Sequence, residues 1–376
     1  MKKIVLIGPV YPYKGGIAHY TSLLYQALSR KYEVELISFK MQYPKFLFRK
    51  EQKDYSNDMF RVPKAQFLIN TANPANIILT AQKIKRKNPD LVILQWWHPY
   101  FAPCYWILET MLGKKIKKMF VCHNVFPHER FPMDKFLTRL VLKNADFFIV
   151  HAHSDGADLR TIKPDAQFRL NPHPTYHAFS LRGLTKEQAR QELGKDQEER
   201  LLLFFGFVRD YKGLRYLIQA MPQIKEELGA IKLMIVGAFG SDKADYFNLI
   251  NSCDVQDCVE VTDGYTPDNE VEKYFAACDL VVLPYESATQ SGIVQIAYGF
   301  EKPVIVTNVG GLPDVVTDKK TGYVVEAKNS QQLAQAVIAY YKDDMEKNFV
   351  ENVRKEAYRF SWDRLTEKVE ELLQNE

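Results

Sequence analysis

The sequence predicts an α/β protein of two parallel-sheet domains, each built from repeated strand–helix units. Short apolar runs alternate with helical segments along almost the whole chain. Most of these runs are continuous and do not alternate with polar residues, which is typical of strands covered on both faces. A chain of 376 residues is also too long for one ordinary domain, so two domains fit its length better.

The predicted strands form two series. The first comprises Ile4–Gly8, Val34–Phe39, Leu91–Trp96, Met119–His123 and Phe147–His151. The second comprises Leu201–Phe207, Leu233–Gly237, Val259–Thr262, Leu280–Pro284, Val304–Thr307 and Tyr323–Val325. Helical segments lie between them, most clearly at Ile17–Arg30, Gly213–Leu228 and Gln331–Tyr341. This rhythm indicates parallel sheets assembled from βα units.

A rigid, poorly helical stretch marks the domain boundary. Residues 171–174 read Asn-Pro-His-Pro, and a proline disfavours helix in the residue before it. A polar segment from Thr185 to Arg200 then precedes the next strand. We place a hinge near residues 172–182, a first domain at 1–178 and a second at 179–360. Ser361 is suited to cap a final helix over about residues 361–376.

The composition is that of an ordinary globular protein, with 46% hydrophobic and 26% charged residues. No stretch approaches the roughly 18 apolar residues of a transmembrane helix, and the first apolar run is short enough to predict a strand instead of a signal peptide. Five cysteines without a zinc-binding set indicate a reduced, cytoplasmic setting. A net charge of +4, with no basic stripe interleaved with aromatics, argues against nucleic acid as a partner.

Two loops that join a strand to a helix carry candidate binding residues. Gly15 and Gly16 open the first helix, where free backbone N–H groups can meet an anion. A simple strand-to-helix turn explains them equally well. Arg209 and Lys212 follow a strand at its carboxyl end, where open sheets bind ligands, and two cations there suit a diphosphate. Solvated surface charge is the alternative.

The stretch from Leu283 to Gly299 is the most informative. A strand ends at Pro284, a small polar loop follows, and an amphipathic helix begins near Ser291. Ser291 and Gly292 would direct backbone N–H groups outward at the positive end of that helix. An ordinary strand–helix–strand crossover explains the periodicity, but not the many small polar residues at the strand ends.

In this order the motifs resemble the retaining glycosyltransferases with the GT-B fold, the group 1 glycosyl transferases that are often called family 4. The resemblance covers nearly the whole chain, through Gly15-Gly16, His123-Asn124, Gly206 to Gly213, Ser291 to Gly299, Lys302-Pro303-Val304, Gly310 to Pro313 and Phe360 to Trp362. It implies two Rossmann-like domains facing each other across a cleft. The first would bind the acceptor, the second would bind the donor, and the final helix would pack back on the first.

The resemblance implies a role for each matching position. Three residues would serve catalysis: His123 near the transferred sugar, and Arg209 and Lys212 at the diphosphate leaving group. The donor-binding residues would be Gly15, Gly16, Arg209, Lys212, Gly237, Thr289, Gln290, Ser291, Gly292 and Ile293. The acceptor-binding candidates are His19, His98 and Asn124, with Glu129 and Asp134 nearby. For His19 and His98, packing is an equal alternative.

The chain departs from the family pattern in two places. The family's arginine follows the first glycine of its phosphate loop, where this chain has Phe207. The two glutamates that the family places eight positions apart correspond here to Ala288 and Ile296. We expect the Thr289–Gly292 stretch to replace their contacts. The alternative is a chain that has lost donor binding and acts as a saccharide- or partner-binding protein.

The implied activity is transfer of a sugar from a nucleoside-diphosphate sugar to a saccharide or lipid-linked saccharide, in cell-surface polysaccharide or glycolipid synthesis. No cofactor or metal is expected, since Asp343-Asp344 lies in a polar helical segment and not at a strand end. Residues 113–118, Gly-Lys-Lys-Ile-Lys-Lys, adjoin the aromatic-rich stretch from Trp96 to Phe120. They predict peripheral association with the inner membrane face; a buried helix followed by a solvated turn is the alternative.

Overall fold

The computed structural model describes residues 2–48, 51–55, 58–127 and 132–374, and the chain divides into two compact units. The first unit is Met1–Pro172 with Trp362–Glu376, and the second is His173–Ser361. The Thr175 amide donates to the Phe360 carbonyl, and the Tyr176 amide donates to the carbonyl of Gln295. Because these bonds tie the chain to the second unit, residues 173–178 belong there and not, as predicted, to the first domain.

The first unit contains a seven-stranded sheet in the order β3-β2-β1-β4-β5-β6-β7, with every neighbouring pair parallel. Its elements are β1 (Lys3–Ile7), α1 (Gly16–Ser29), β2 (Glu33–Met41), β3 (Gln66–Asn70), α2 (Pro74–Arg86), β4 (Leu91–Trp96), α3 (Ala102–Leu112), β5 (Lys117–Cys122), α4 (Asp134–Leu142), β6 (Phe147–Val150), α5 (His153–Ile162) and β7 (Gln167–Leu170). Sequence analysis missed β3 and β7. Both are half-exposed edge strands; β7 has no continuous apolar run, and that of β3 is only the three residues Phe67–Ile69.

The second unit contains a six-stranded parallel sheet in the order β10-β9-β8-β11-β12-β13. Its elements are α6 (Lys186–Glu192), β8 (Arg200–Phe205), α7 (Leu214–Leu228), β9 (Ile231–Gly237), α8 (Lys243–Ser252), β10 (Val259–Asp263), α9 (Val271–Ala277), β11 (Leu280–Leu283), α10 (Gly292–Gly299), β12 (Val304–Thr307), α11 (Leu312–Val315), β13 (Gly322–Val325), α12 (Ser330–Lys342) and α13 (Glu346–Glu356). The predicted fold class of two parallel-sheet α/β domains is confirmed. In the described part of the chain, no helix is both long and apolar enough to cross a membrane.

The last helix, α14 (Trp362–Gln374), is part of the first unit. Its buried face places Leu365, Val369 and Leu372 in one apolar cluster with Leu24 and Leu28 of α1. This cluster covers one face of the first sheet, and a second cluster that includes α2 and α3 covers the other. The sheet is therefore buried on both sides, as its continuous apolar strands require.

A carboxyl group lies buried near the end of α3. Glu109 is 4% exposed, and neither of its oxygens has a hydrogen-bond partner among the described residues. Burial raises the pKa of Glu109 to about 8, although Lys118 nearby pulls the pKa down. The side chain is therefore held as a neutral acid through most of the neutral range.

This burial predicts a pH-dependent stability that Glu109→Gln removes. Between the ordinary glutamate pKa of 4.5 and about 8, the native state holds a proton that the unfolded chain has released. The free energy of unfolding therefore falls as pH rises through this window, by up to about 1.4 kcal/mol per pH unit. Thermal unfolding at pH 5 and pH 8 should show that the stability of Glu109→Gln, relative to that of the wild type, is greater at pH 8 than at pH 5. Asp165→Asn, at an exposed carboxylate, is the control and should show the pH dependence of the wild type. If the free energy of unfolding of Glu109→Gln changed with pH as much as that of the wild type, the prediction would be contradicted.

Candidate functional site

The loops that follow β8 and β11 lie against each other at one edge of the second sheet. Gly213, which ends a single 3₁₀ turn after β8, has φ of 63°, and an added Cβ would overlap the carbonyl oxygen of Pro284. Only glycine combines this left-handed backbone with so close an approach. The Glu286 amide also donates to the Tyr211 carbonyl at 2.7 Å. The two loops are thus joined through their backbones.

Lys212 is fixed at this junction by an aromatic side chain. Its ammonium lies 3.9 Å from the ring centroid of Tyr285 and donates to Tyr285 Oη at 2.7 Å. Tyr285 is fully buried, and its Oη lies 3.4 Å from Ser291 Oγ. The positive charge is therefore held beside the start of α10, where the helix dipole also favours an anion.

A cavity of about 260 Å³ opens at the carboxyl ends of β8 and β9. Lys212 is the charged side chain in its lining, which also comprises Phe205, Gly206, Phe207, Tyr211, Val236, Gly237, Ala238, Gly264, Tyr265, Thr266 and Ile293. Aromatic walls around a single cation suit a ligand that has both a flat ring and an anionic group. The cavity lies where open parallel sheets bind their ligands.

The start of α10 is open on the side where Gly292 lacks a side chain. No described atom lies within 4 Å of the position that a Gly292 Cβ would occupy. The preceding Gln290 has both side-chain amide atoms buried without a hydrogen-bond partner in the described chain. An unsatisfied buried amide costs about 1–3 kcal/mol. A polar ligand at this loop would recover that energy, together with the first backbone amides of the helix.

The loop after β12 closes the other side of this segment. The Gly311 amide donates to the Thr289 carbonyl at 2.9 Å, and a Cβ on Gly310 would overlap the carbonyl oxygen of Ala288. Ala288 and Ile296, at the positions of the missing glutamates, are each only 8% exposed. The segment is thus packed as an ordered loop and helix without those carboxylates.

The structure separates the two predicted cations. Lys212 lines the cavity, as do the donor candidates Gly237 and Ile293, whereas Arg209 does not. The Arg209 side chain is exposed and extends toward the turn at Gly240, where an added Cβ would lie 3.1 Å from its Nη1. A contact of Arg209 with the same ligand as Lys212 therefore stays a prediction.

The glycine loop of the first unit is open. Gly15 has φ of 102°, Gly16 begins α1, and no described atom lies within 4 Å of the position of a Cβ on either. One turn further, the ring of His19 packs on Phe60 at a centroid distance of 4.3 Å. The packing alternative for His19 is therefore present in the structure, while the glycines leave space for a ligand.

The other candidates of the first unit follow β4 and β5. His123 is 7% exposed, its Nε2 lies 2.7 Å from Gln95 Oε1, and its ring meets Tyr20 edge-on at 4.6 Å. Asn124 beside it is half-buried. His98 Nδ1 accepts a hydrogen bond from the Tyr100 amide, and burial lowers the pKa of His98. Asp134 begins α4 with a buried side chain, and Glu129 lies outside the described residues.

The sequence argument missed three aromatic residues at this edge of the second sheet. Tyr285 was within the quoted motif but was given no role, and Tyr265 lies after β10 at the same sheet edge. Phe207 takes the place of the family's arginine and is 53% exposed. Position was their only signal in the sequence, since each of the three lies two residues after the end of a strand.

The aromatic-rich stretch around the basic turn at residues 113–118 is largely interior. Trp96, Phe101, Tyr105 and Phe120 are all buried, and Trp106 is 42% exposed. Lys118 is itself buried and donates to the Gly113 carbonyl at 2.9 Å. The alternative of a buried helix therefore fits most of these aromatics, because Trp96 and Phe120 lie in strands of the first sheet and Tyr105 lies on the buried side of α3. Peripheral membrane association stays a prediction.

The chain matches known proteins over both units. Residues 185–360 match the family model described as Glycosyl transferases group 1, and residues 14–174 match the model described as Glycosyltransferase Family 4. The chain is 33% identical to an uncharacterized glycosyltransferase of Methanocaldococcus jannaschii, over 47% of this chain and 45% of that protein. It is 24% identical to the N-acetyl-alpha-D-glucosaminyl L-malate synthase of Bacillus anthracis, over 93% of this chain and 90% of that enzyme.

Solved structures share the fold. The Anabaena protein HepE, in complex with UDP and glucose, aligns over 100% of both chains with a TM-score of 0.76 and 17% identity. A likeness at this identity concerns the fold. It agrees with the predicted GT-B architecture of two parallel-sheet α/β domains.

The junction at Gly213 predicts a large difference between two left-handed glycines of the second unit. Gly213 and Gly194 both have φ of 63°, but an added Cβ meets Pro284 at Gly213 and open space at Gly194. Gly194→Ala should cost about 1–2 kcal/mol for the left-handed backbone. Gly213→Ala should cost about 1–3 kcal/mol more because the loops must separate. Urea unfolding measures both, and equal losses would contradict the junction.

Proposed function

Because the chain belongs to the group 1 glycosyltransferases, we propose that its second unit binds a nucleoside-diphosphate sugar and its first unit binds the saccharide or lipid-linked saccharide that receives the sugar. The observation that carries this proposal is the Lys212 ammonium, held on Tyr285 beside the start of α10. A fixed cation and a helix N-terminus at one point are suited to a diphosphate. The synthesis of a cell-surface polysaccharide or glycolipid is the process that we propose for it.

The parts of the donor would take different parts of the site. The diphosphate would lie between Lys212 and the first amides of α10, and the base would lie in the cavity with Phe207 and Tyr265. The sugar would reach the unsatisfied amide of Gln290. The UDP and glucose held by the structurally similar HepE support a donor of this class.

The proposed chemistry needs charge stabilisation more than a nucleophile. Breaking the anomeric bond places negative charge on the nucleoside diphosphate, and a preorganised cation with helix-end amides stabilises that charge in the transition state. We propose that the configuration at the anomeric carbon is retained and that no metal is required, since Lys212 supplies the positive charge. His123 is the proposed contact to the transferred sugar from the first unit.

A saccharide- or partner-binding protein without catalysis is the second candidate. The observation that favours it is the apolar, buried character of Ala288 and Ile296, where the family has glutamates. The two candidates differ in whether a nucleotide binds near Lys212.

Thermal unfolding against nucleoside diphosphates and their sugars tests the donor site. One base class should stabilise the protein, by about 2.7 kcal/mol at a ligand concentration one hundred times Kd. Lys212→Ala should lose about 1.5–3 kcal/mol of binding free energy, because a hydrogen-bonded charge is removed. Lys347→Ala, an exposed lysine of the same unit, is the matched control. The stabilisation should survive EDTA; if no nucleotide stabilises the protein, the non-catalytic candidate replaces the first.

Retention can be measured without knowing the acceptor. With water as a slow acceptor, an α-linked donor should release the α-anomer of the sugar before mutarotation equilibrates it. Proton NMR of the anomeric signal during hydrolysis distinguishes the two anomers. Initial release of the β-anomer would contradict retention.

A further inference from the structure

The first unit carries an apolar groove that the donor site does not use. It has a volume of about 500 Å³. Its lining includes Phe46 and Leu47 of one loop, together with Tyr100, Pro103 and Leu137 from later in the chain. Phe46 is 78% exposed and Leu47 is 57% exposed. Large apolar side chains exposed around a groove of this size mark a binding surface, since ligand pockets measure roughly 300–1,000 Å³.

The same loop also supplies the wall of a basic cavity. This second cavity measures about 430 Å³ and is lined by Lys40, Lys45 and Lys53, together with Phe48 of the loop. Glu51 is the only carboxylate among its described lining residues, so cations are in excess. No carboxylate of the described chain forms an ion pair with Lys40 or Lys45, and the cavity therefore attracts an anion.

Hydrogen bonds and ring contacts hold the base of the loop between the two cavities. Gln52 accepts from the Tyr43 amide at 3.2 Å and donates to the Tyr43 carbonyl at 2.9 Å. The Tyr43 ring stacks on Phe48 and packs against Tyr100, at centroid distances of 5.7 and 4.9 Å. The apolar groove and the basic cavity are thus neighbours, because Tyr43 lines the basic cavity and packs on Tyr100 of the groove.

The basic cavity adjoins the segment that leads to the glycine loop. Tyr13 lines the cavity and forms an isolated β-bridge with Lys53. The Lys14 amide donates to the Gln52 carbonyl at 3.0 Å. An anion among the lysines would therefore lie near Gly15, where α1 begins.

We propose that the acceptor of this enzyme is a sugar joined to a lipid through a phosphate or diphosphate. The lipid chain would occupy the apolar groove beside Phe46 and Leu47, and the phosphate would lie among Lys40, Lys45 and Lys53. This assignment rests on the proposed function, whose acceptor class it narrows. An acceptor hydroxyl forms the new bond to the anomeric carbon, the bond to the nucleoside diphosphate breaks, and the hydroxyl proton leaves with the diphosphate. A neutral saccharide would leave both cavities without an occupant.

The test compares probes that carry one or both parts of the lipid phosphate. Binding of farnesyl diphosphate, farnesol and inorganic diphosphate to the full chain is measured by intrinsic fluorescence or calorimetry. Each buried methylene strengthens binding about fourfold. Farnesyl diphosphate should therefore bind at least about tenfold more tightly than either partial probe. Equal affinity for farnesyl diphosphate and inorganic diphosphate would overturn the proposal.

Paired variants separate this site from general effects of charge and exposure. The double variant Lys40→Glu, Lys45→Glu should weaken the binding of farnesyl diphosphate about tenfold or more. The double variant Lys114→Glu, Lys115→Glu makes the same charge change at the basic turn and should leave this binding unchanged. Leu47→Asp should weaken the binding of farnesyl diphosphate, whereas Leu79→Asp, at a similarly exposed leucine of α2, should not. Equal effects within either pair would overturn the proposal.

Two further measurements distinguish the possible failures. Nucleotide stabilisation should be unchanged in Leu47→Asp; a chain that binds nucleotide but does not prefer farnesyl diphosphate refutes the lipid acceptor and leaves the proposed function standing. A chain that binds no nucleotide refutes both. Vesicles of phosphatidylglycerol in phosphatidylcholine should compete with farnesyl diphosphate only weakly. If the vesicles competed as well as farnesyl diphosphate at the same phosphate concentration, the surface would dock on a membrane, and the acceptor assignment would also be overturned.

Discussion

The second unit depends on the close approach of the Gly213 backbone to the carbonyl of Pro284. Because no side chain fits between them, the loop after β8 rests directly on the loop after β11. Lys212 and Tyr285 are 73 positions apart in the sequence, and this approach lets the ammonium lie on the tyrosine ring. The same approach sets the cation beside Ser291. A backbone contact without charge thus decides where the charge of the site is held.

The sequence predicted the fold well because parallel strands covered on both faces need continuous apolar runs. β7 lacks such a run and that of β3 is only three residues long, because the side chains of these two edge strands are half-exposed, and both strands were missed. The predicted boundary between the domains, after residue 178, lies a few residues beyond the observed one, after Pro172. Hydrogen bonds from Thr175 and Tyr176 to residues far along the chain determine it, and such bonds leave no local signal.

The candidate site could be predicted in position but not in detail. The loop after β8 was identified from its two cations and the loop after β11 from its small polar residues, and the structure brings the two loops together. The partnership of Lys212 with Tyr285 was not predictable, because it depends on a contact between distant segments. The direction of Arg209 was equally hidden, since an exposed arginine has many rotamers. Likewise, the aromatic stretch before residue 113 gave no sign of which face of α3 would be buried.

The first unit is completed by a segment from the other end of the chain. Leu365, Val369 and Leu372 of α14 close the apolar face formed by Leu24 and Leu28. During synthesis on the ribosome, that face stays uncovered while the whole second unit is being made. The second unit is one continuous segment, so it can fold before the first has its full core. A fragment that stops at Pro172 would expose the same face permanently, and a chaperone that recognises apolar surface would bind there.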